Sequence, residues 1–501
     1  MSKMRRETVV ENATDGADGQ AAQVERRRPR LAAVGKASRA GDAGRVRNCT
    51  SNTKDTTRFV NQRACVLGAG VSGIAAARLL AAHGGCVTLL DAAPEAGLAR
   101  ARDALAGSGV LLRGGADTLP DEPFTLCIAS PSIAPEHSWL RACAARGIPV
   151  AGEMELGYAF WRGRLLAVTG SKGKSSVVKL CADTLTAAGL EAVPAGNYGV
   201  PLSACVLERP ALPWAVVEVS SFQLEQVAAF RPDVAILLNL QADHLDRHGS
   251  MAVYARLKFR LFARQGAGDF ALLPAGMDVP EPLPAGVAVQ TFGSGAADWR
   301  YSPGRLAGRL GGAPGVLRFA GTWFDNPVLG EAAAAAAGAL HACGLAPAQI
   351  EAGLAAFRPL PHRMQRLAVH RGVIYVDDSK ATSLTALAAA LKMMPEPVRL
   401  IAGGRLKEHD LDAVKELLAM RVKKVYLIGE STRALWAAWS PVVACAACGD
   451  LSAAVAQAAR EAAPGEAVLL SPGCASFDQF DGYAQRGECF ARLVQALEMT
   501  A

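Results

Sequence analysis

The segment that most restricts what this chain can fold into is TGSKGKSS at residues 169–176, which follows the apolar run RLLAVT at 164–169 and leads into a helical pattern. A buried strand running through a glycine loop into a helix is the frame of a phosphate-binding turn. Gly170 and Gly173 let backbone amides approach phosphate oxygens, and the helix N-terminus adds partial positive charge. Lys174 can bridge β- and γ-phosphates, and the Ser175 hydroxyl can reach a magnesium ion. The pattern is a shortened Walker A motif, GxxGKS in place of GxxxxGKS. An ordinary Gly/Ser turn would not require this strand–loop–helix context.

A second glycine turn, GAGVSG at 68–73, follows the short strand ACVL (64–67), and the next strand, CVTLL (86–90), ends at Asp91. GxGxxG with an acidic residue about 20 positions on is a dinucleotide fingerprint. No second dinucleotide cue accompanies it, so a nucleotide diphosphate or uridine ligand is expected there and a redox role is not. Strands and helices alternate again beyond 164 and beyond 373. That alternation implies α/β units with parallel sheets and right-handed crossovers. At about 100–200 residues per domain, 501 residues make about three. The expected division is a tail at 1–60, a Rossmann-like domain at 61–160, a P-loop ATPase domain at 161–358 and a second Rossmann-like domain at 359–501. Short Gly- and Pro-punctuated segments between about 270 and 325 suggest an antiparallel flank on the central sheet.

Residues 1–60 hold 13 Lys+Arg against 7 Asp+Glu, which accounts for +6 of the chain's +7 net charge. They show no apolar period and are expected to be a solvated extension. RRRPR at 26–30 is no basis for a nucleic-acid partner, and none is expected. No run of 18 or more uncharged apolar residues appears, so no membrane span is expected. The 12 cysteines are scattered, and the CxxC at Cys445 and Cys448 has no companion pair. Most of them fall in apolar strand or helix patterns and read as buried small hydrophobes in a reduced, cytoplasmic protein.

Between the two ends of the central unit lie the residues suited to phosphate chemistry. VEVSSFQLE at 217–225 sets Glu218 at the end of a buried strand, where a carboxylate is costly unless paired or on a metal. NLQADHLDRHG at 239–249 follows the next strand and offers His244. Glu218 and His244 make chemical sense as ligands of a hard cation beside the phosphate loop. Asp246, Arg247 and His248 fit a solvated loop equally well. Lys258 follows Tyr254 by one helical turn and, taken alone, reads as a surface lysine.

Taken in order, these blocks resemble the Mur ligase family over roughly residues 61–501: GAGVSG, GSKGKSS, GNYGVP (196–201), EVSSFQLE, ADHLDRHG, YARLK (254–258), PHRMQ (361–365), DDSKAT (377–382), AGGRLK (402–407) and LSPGCASFDQFDGYAQRGECF (470–490). The last four blocks are similar to the branch that adds glutamate. The resemblance implies an ATP- and Mg2+-dependent ligase, two ions being expected, that joins D-glutamate to UDP-N-acetylmuramoyl-L-alanine in peptidoglycan precursor synthesis and acts as a cytoplasmic monomer. By the same resemblance, Gly170, Ser171, Lys172, Gly173, Lys174, Ser175, Ser176, Arg363 and Asp378 face ATP. Ser175, Glu218, His244 and Lys258, the last as a carbamate, hold metal, with Lys174, Lys258, His244 and Glu218 forming the catalytic set. Val71, Ser72, Asp91, Ser130, Asn197 and Gln223 match positions that hold the UDP substrate, and Lys380, Thr382, Lys407, Ser476 and Phe477 resemble a glutamate cradle.

The chain departs from the family pattern in places. Lys172 stands where the loop usually has Asn, Ser132 replaces a Gly, and LLPAG at 272–276 lacks the usual adenine-side Asn-Ala-Asp. Rival expectations are the same ligation with L-glutamate, a non-catalytic nucleotide-binding homologue and a nicotinamide oxidoreductase resting on GAGVSG alone.

Overall fold

A computed structural model describes residues 62–408 and 410–499. The expected tail at 1–60 lies outside the described residues. Strand-forming runs assemble into three sheets. The first contains β1 (Arg63–Leu67), β2 (Cys86–Leu90), β3 (Leu111–Arg113), β4 (Leu126–Ala129) and β5 (Val150–Gly152), in the order β3-β2-β1-β4-β5. All its pairings are parallel. Apolar clusters lie on both faces, as a doubly wound parallel sheet requires.

The second sheet is the largest. β6 (Arg164–Thr169), β7 (Ala192–Gly196), β8 (Trp214–Glu218), β9 (Val234–Leu237) and β10 (Phe270–Pro274) form its parallel half, continued by β11 (Ala288–Gly293). β12 (Trp299–Ser302), β13 (Arg305–Leu310) and β14 (Ala313–Arg318) complete the order β14-β13-β12-β11-β10-β9-β6-β8-β7. Only the β12–β13 and β13–β14 pairs are antiparallel, so the flank expected from 270 onward begins later than the punctuation suggested. The helix Gly330–Ala342 packs its alanines, Ala333 to Ala337 all fully buried, in the core on one face of this sheet.

The third sheet runs β15-β16-β20-β17-β18-β19, with β15 (Gln365–His370), β16 (Val373–Asp377), β17 (Val398–Gly403), β18 (Val422–Ile428), β19 (Cys445–Gly449) and β20 (Ala467–Leu470). Its edge strand β15 is antiparallel and the rest parallel. β15 and β19 were not legible from pattern: β15 alternates only loosely, and β19 is the alanine–cysteine run CAACG. Among the described residues, no helix is long and apolar enough to cross a membrane.

Open parallel sheets place their functional turns at the carboxyl ends of strands. Here those ends carry Gly68, Asp91 and Ser130 in the first sheet, Gly170, Glu218 and the 239–249 loop in the second, and Asp378 and the 471–477 loop in the third.

Candidate functional site

Gly173 caps the helix Lys174–Ala187 with φ of 86°, a left-handed conformation that a side chain would strain. That turn folds the loop back so that Lys174 Nζ donates to the carbonyls of Gly170 (2.8 Å) and Ser171 (3.1 Å). Burial depresses the Lys174 pKa, and the nearby Glu218 carboxylate partly restores it. Ser175 stands half-buried in the first helical turn, and Ser176 is buried.

The loop is held from across the sheet by Asn239, just beyond β9. Its Oδ1 accepts from the amides of Ser171 (3.1 Å) and Lys172 (2.9 Å), and its Nδ2 donates to the Lys172 carbonyl (3.1 Å). Ser171 Oγ donates to the Gln241 carbonyl (2.8 Å) and lies 3.1 Å from the Tyr254 hydroxyl. Lys172, the unusual residue of the loop, pairs with Asp243 at 3.2 Å. Asn239 stands out in the sequence as the first residue of the 239–249 block but receives no role there; its position directly after a buried strand that adjoins the loop's own strand was the available signal.

Glu218 closes β8, next to β6, and is 2% exposed. Its Oε1 accepts from Asn197 Nδ2 at 2.6 Å, while its buried Oε2 has no hydrogen-bond partner among the described residues. An orphaned carboxylate oxygen in an interior is expensive unless a cation takes it, so the donor set fits a hard divalent ion. Asn197, expected among residues that hold the UDP substrate, is thus bonded to Glu218.

Lys258 lies on the helix Met251–Phe259 and is 1% exposed, which corrects its reading as a surface lysine. Its Nζ donates to Thr169 Oγ1 (3.1 Å) and the Gly170 carbonyl (2.9 Å). Burial, and then repulsion from Lys174, lowers its pKa to about 7, so much of it is a neutral amine at neutral pH.

His244 caps the helix Leu245–His248 in a left-handed conformation, with φ of 54°, and its ring packs beside Phe222. The segment after it is not the solvated loop that its charges allowed. Arg247 forms an ion pair with Glu225 (2.5 Å), lies over the Phe222 ring and donates to the Ile133 carbonyl of the first unit (3.1 Å). His248 is buried, with Nε2 at 3.0 Å from Ser221 Oγ. Of the three charged positions after His244, Asp246 is exposed. Gln223, buried, completes a capping box in which its side-chain oxygen accepts from the Ser220 amide at 2.9 Å.

At the mouth of the first sheet, a Cβ on Gly73 would lie 1.9 Å from the Gly68 carbonyl oxygen, so the helix Val71–Ala82 can pack this closely only as glycine. Asp91 accepts from the amides of Ala69 (2.7 Å) and Ala93 (2.8 Å), which fixes the turn. Exposed Val71, half-buried Ser72 and Ser130, whose hydroxyl meets Ser132 at 3.0 Å, surround that turn.

In the third unit Asp378 is buried. It accepts from Ser471 Oγ (2.8 Å) and the Met364 amide (3.2 Å), and burial raises its pKa to about 7. Arg363 exerts its charge on Lys174, Asp378 and Lys380, so it links the phosphate loop electrostatically to this unit. Lys380 Nζ sits over the Tyr483 ring at 3.9 Å; burial, then Arg363 and Lys407, lowers its pKa. Thr382 is half-buried, Ser476 buried, and Lys407 and Phe477 exposed. Two supports were missed from sequence: His362 Nδ1 lies 2.7 Å from Asp377 Oδ2, and fully buried Arg486 donates to the Ser379 (2.9 Å) and Cys474 (3.1 Å) carbonyls.

The family model described as "Mur ligase middle domain" matches residues 168–307, and that of the "Mur ligase, glutamate ligase domain" matches 362–474. Residues 66–124 match an NAD(P)-binding Rossmann-like domain. The UDP-N-acetylmuramoylalanine--D-glutamate ligase of Nitratidesulfovibrio vulgaris is 38% identical over 448 residues, 89% of this chain and 99% of the relative. The chain belongs to the Mur ligase family. A relative of the same name from Rubrobacter xylanophilus is 40% identical over 86% of this chain and 98% of its own length. The fold is shared with the UDP-N-acetylmuramate-alanine ligase of Thermotoga maritima, at a TM-score of 0.54 and 16% identity over 87% of this chain and 99% of that one. Within this Mur ligase, the phosphate loop holds buried Lys258 through the Gly170 carbonyl and sets Lys174 near buried Glu218, which Asn197 engages, whereas Lys407 and Phe477 are exposed in the third unit.

Proposed function

We propose that this chain is the ligase that joins D-glutamate to UDP-N-acetylmuramoyl-L-alanine at the expense of ATP in peptidoglycan precursor synthesis. The observation that carries the reading is the unpartnered Glu218 Oε2, buried beside Lys174 and Lys258 at the mouth of a phosphate loop. The relatives covering nearly their whole length supply the substrates' names.

In this reading the alanyl carboxylate attacks the γ-phosphate of ATP, giving an acyl phosphate and ADP. The glutamate amine, having lost its proton, then attacks the acyl carbon, and phosphate leaves from the tetrahedral adduct. Phosphoryl transfer needs positioning and charge neutralisation more than covalent help. Backbone amides of 170–176 cradle phosphate oxygens, and Lys174 exchanges its two carbonyl contacts for the β- and γ-phosphates. Ser175, Glu218, His244 and Lys258 would hold magnesium, two ions in all, whose role is to neutralise charge on the transferring phosphoryl group. A buried amine with a pKa near 7 is suited to take up CO2 as a carbamate, which turns Lys258 into an anionic ligand. Arg363 and Asp378 complete the nucleotide side. Val71, Ser72, Asp91, Ser130 and Gln223 face the UDP substrate, with Asn197 steadying Glu218. Lys380, Thr382, Lys407, Ser476 and Phe477 receive glutamate, the exposed Lys407 pairing with a substrate carboxylate. The enzyme acts in the cytoplasm as a monomer.

The test is phosphate release from ATP with UDP-N-acetylmuramoyl-L-alanine and either glutamate enantiomer. Release with D-glutamate alone is expected. Release with L-glutamate alone would overturn the stereochemical assignment, and none with either acceptor would overturn the ligase reading.

A further inference from the structure

The first unit buries three cysteines together, one on the strand that leads into the glycine turn and two from beyond it. Cys65 on β1 lies directly opposite Cys127 on the neighbouring parallel strand β4, and Cys143 comes from the helix Ser138–Ala145 packed on the same face. Their three sulfur atoms all lie within 4.8 Å of one another, and each residue is wholly buried. The surroundings are apolar: Leu67, Leu90, Ala129, Ile133 and Trp139. No histidine or carboxylate joins the cluster among the described residues. The cation near Cys143, Arg146, is already bonded to the Pro120 and Glu122 carbonyls.

We propose that Cys65, Cys127 and Cys143 form a binding site for a trivalent thiophilic ion, with arsenite as its soluble form. Three soft donors without a fourth ligand suit a three-coordinate ion better than zinc, whose structural sites are four-coordinate. Charge then selects the valence. Three thiolates around a divalent ion leave a net negative charge in an apolar interior, which is costly. Around a trivalent ion they leave none. Arsenous acid also carries its own acceptors for the thiol protons. Three S–H and three As–OH bonds break, three As–S bonds form, three waters leave, and no electron is transferred. Entry requires the helix Ser138–Ala145 to lift from the sheet, so binding is expected to be slow.

The experiment uses the reduced full chain with arsenite, read by X-ray absorption at the arsenic edge. One arsenic per chain with three sulfur neighbours is expected, unchanged in Cys86→Ser, which alters an exposed cysteine, and lost in Cys143→Ala and in Cys127→Ala. Circular dichroism identifies any variant that fails to fold, and the sulfur count on the unmutated chain stands independently of the variants. Absence of stoichiometric binding, two-sulfur coordination, or three-sulfur coordination retained in Cys143→Ala would overturn the proposal. Zinc held by the same thiols in preference to arsenite would overturn the charge argument.

Discussion

The central and C-terminal halves of the site are built differently. Around the phosphate loop, exposed Lys172 and His244 aside, the charged groups are withdrawn from solvent and engaged: Lys174 on two carbonyls, Lys258 on Thr169 and Gly170, and Glu218 on Asn197 with one oxygen held open. On the glutamate side Lys407 and Phe477 are exposed, and Lys380 rests on an aromatic ring. The first arrangement is preorganised, so its electrostatics are in place before the substrate arrives. The second is completed by its ligand. Phosphoryl transfer therefore depends on residues whose loss is severe, and amino-acid capture on residues whose loss is graded.

The largest effect is expected from Lys174→Ala. Removing one preorganised donor from a transition state costs on the order of 10²–10³ in kcat, and steady-state phosphate release measures it. A variant with near-normal turnover would remove the phosphate loop from the mechanism. Lys258→Ala should be comparably inactive yet regain turnover with short carboxylic acids, which replace the missing anion. Failure of rescue in a folded variant would count against a carbamate.

Lys258 also makes a prediction about pH. Its folded pKa, about 7, lies below the ordinary lysine value of 10.5. Between those values the unfolded chain binds the extra proton, so stability gains a contribution as pH rises through that window, and lacks it below about 7. In CO2-free buffer, Lys258→Met should flatten this rise, as read from denaturation midpoints between about pH 7 and 10. An unchanged slope would mean that the amine is not held neutral by burial.

Smaller effects belong to the open half. Lys407→Ala removes one charge-assisted hydrogen bond, about 1.5–3 kcal/mol. The KM for glutamate should rise by roughly 10- to 100-fold, with the KM for ATP unchanged. A matching rise for ATP would show that the two halves are not separable.

Much of this contrast was legible in the sequence, for physical reasons. Loop glycines, Lys174 and the strand ending at Glu218 declare themselves because short apolar strands and backbone-demanding turns leave local signatures. Burial of Lys258 did not, because nothing within its helix distinguishes a lysine facing the sheet from one facing water. Asn239, Asn197 and Arg247 act through partners roughly 20 to more than 100 positions away, and the cysteine trio is gathered from two strands and a helix. Such contacts come from sheet order, which periodicity does not encode. The edge strands β15 and β19 were missed because weak alternation and small residues resemble loop.

The most direct test of a preorganised transfer half and a ligand-completed capture half is trapping of the acyl phosphate by borohydride reduction, with ATP and UDP-N-acetylmuramoyl-L-alanine but no amino acid. Trapped product in the unmutated chain and in Lys407→Ala, with none in Lys174→Ala, is the result predicted. Loss of trapping in Lys407→Ala, or its persistence in Lys174→Ala, would contradict the division.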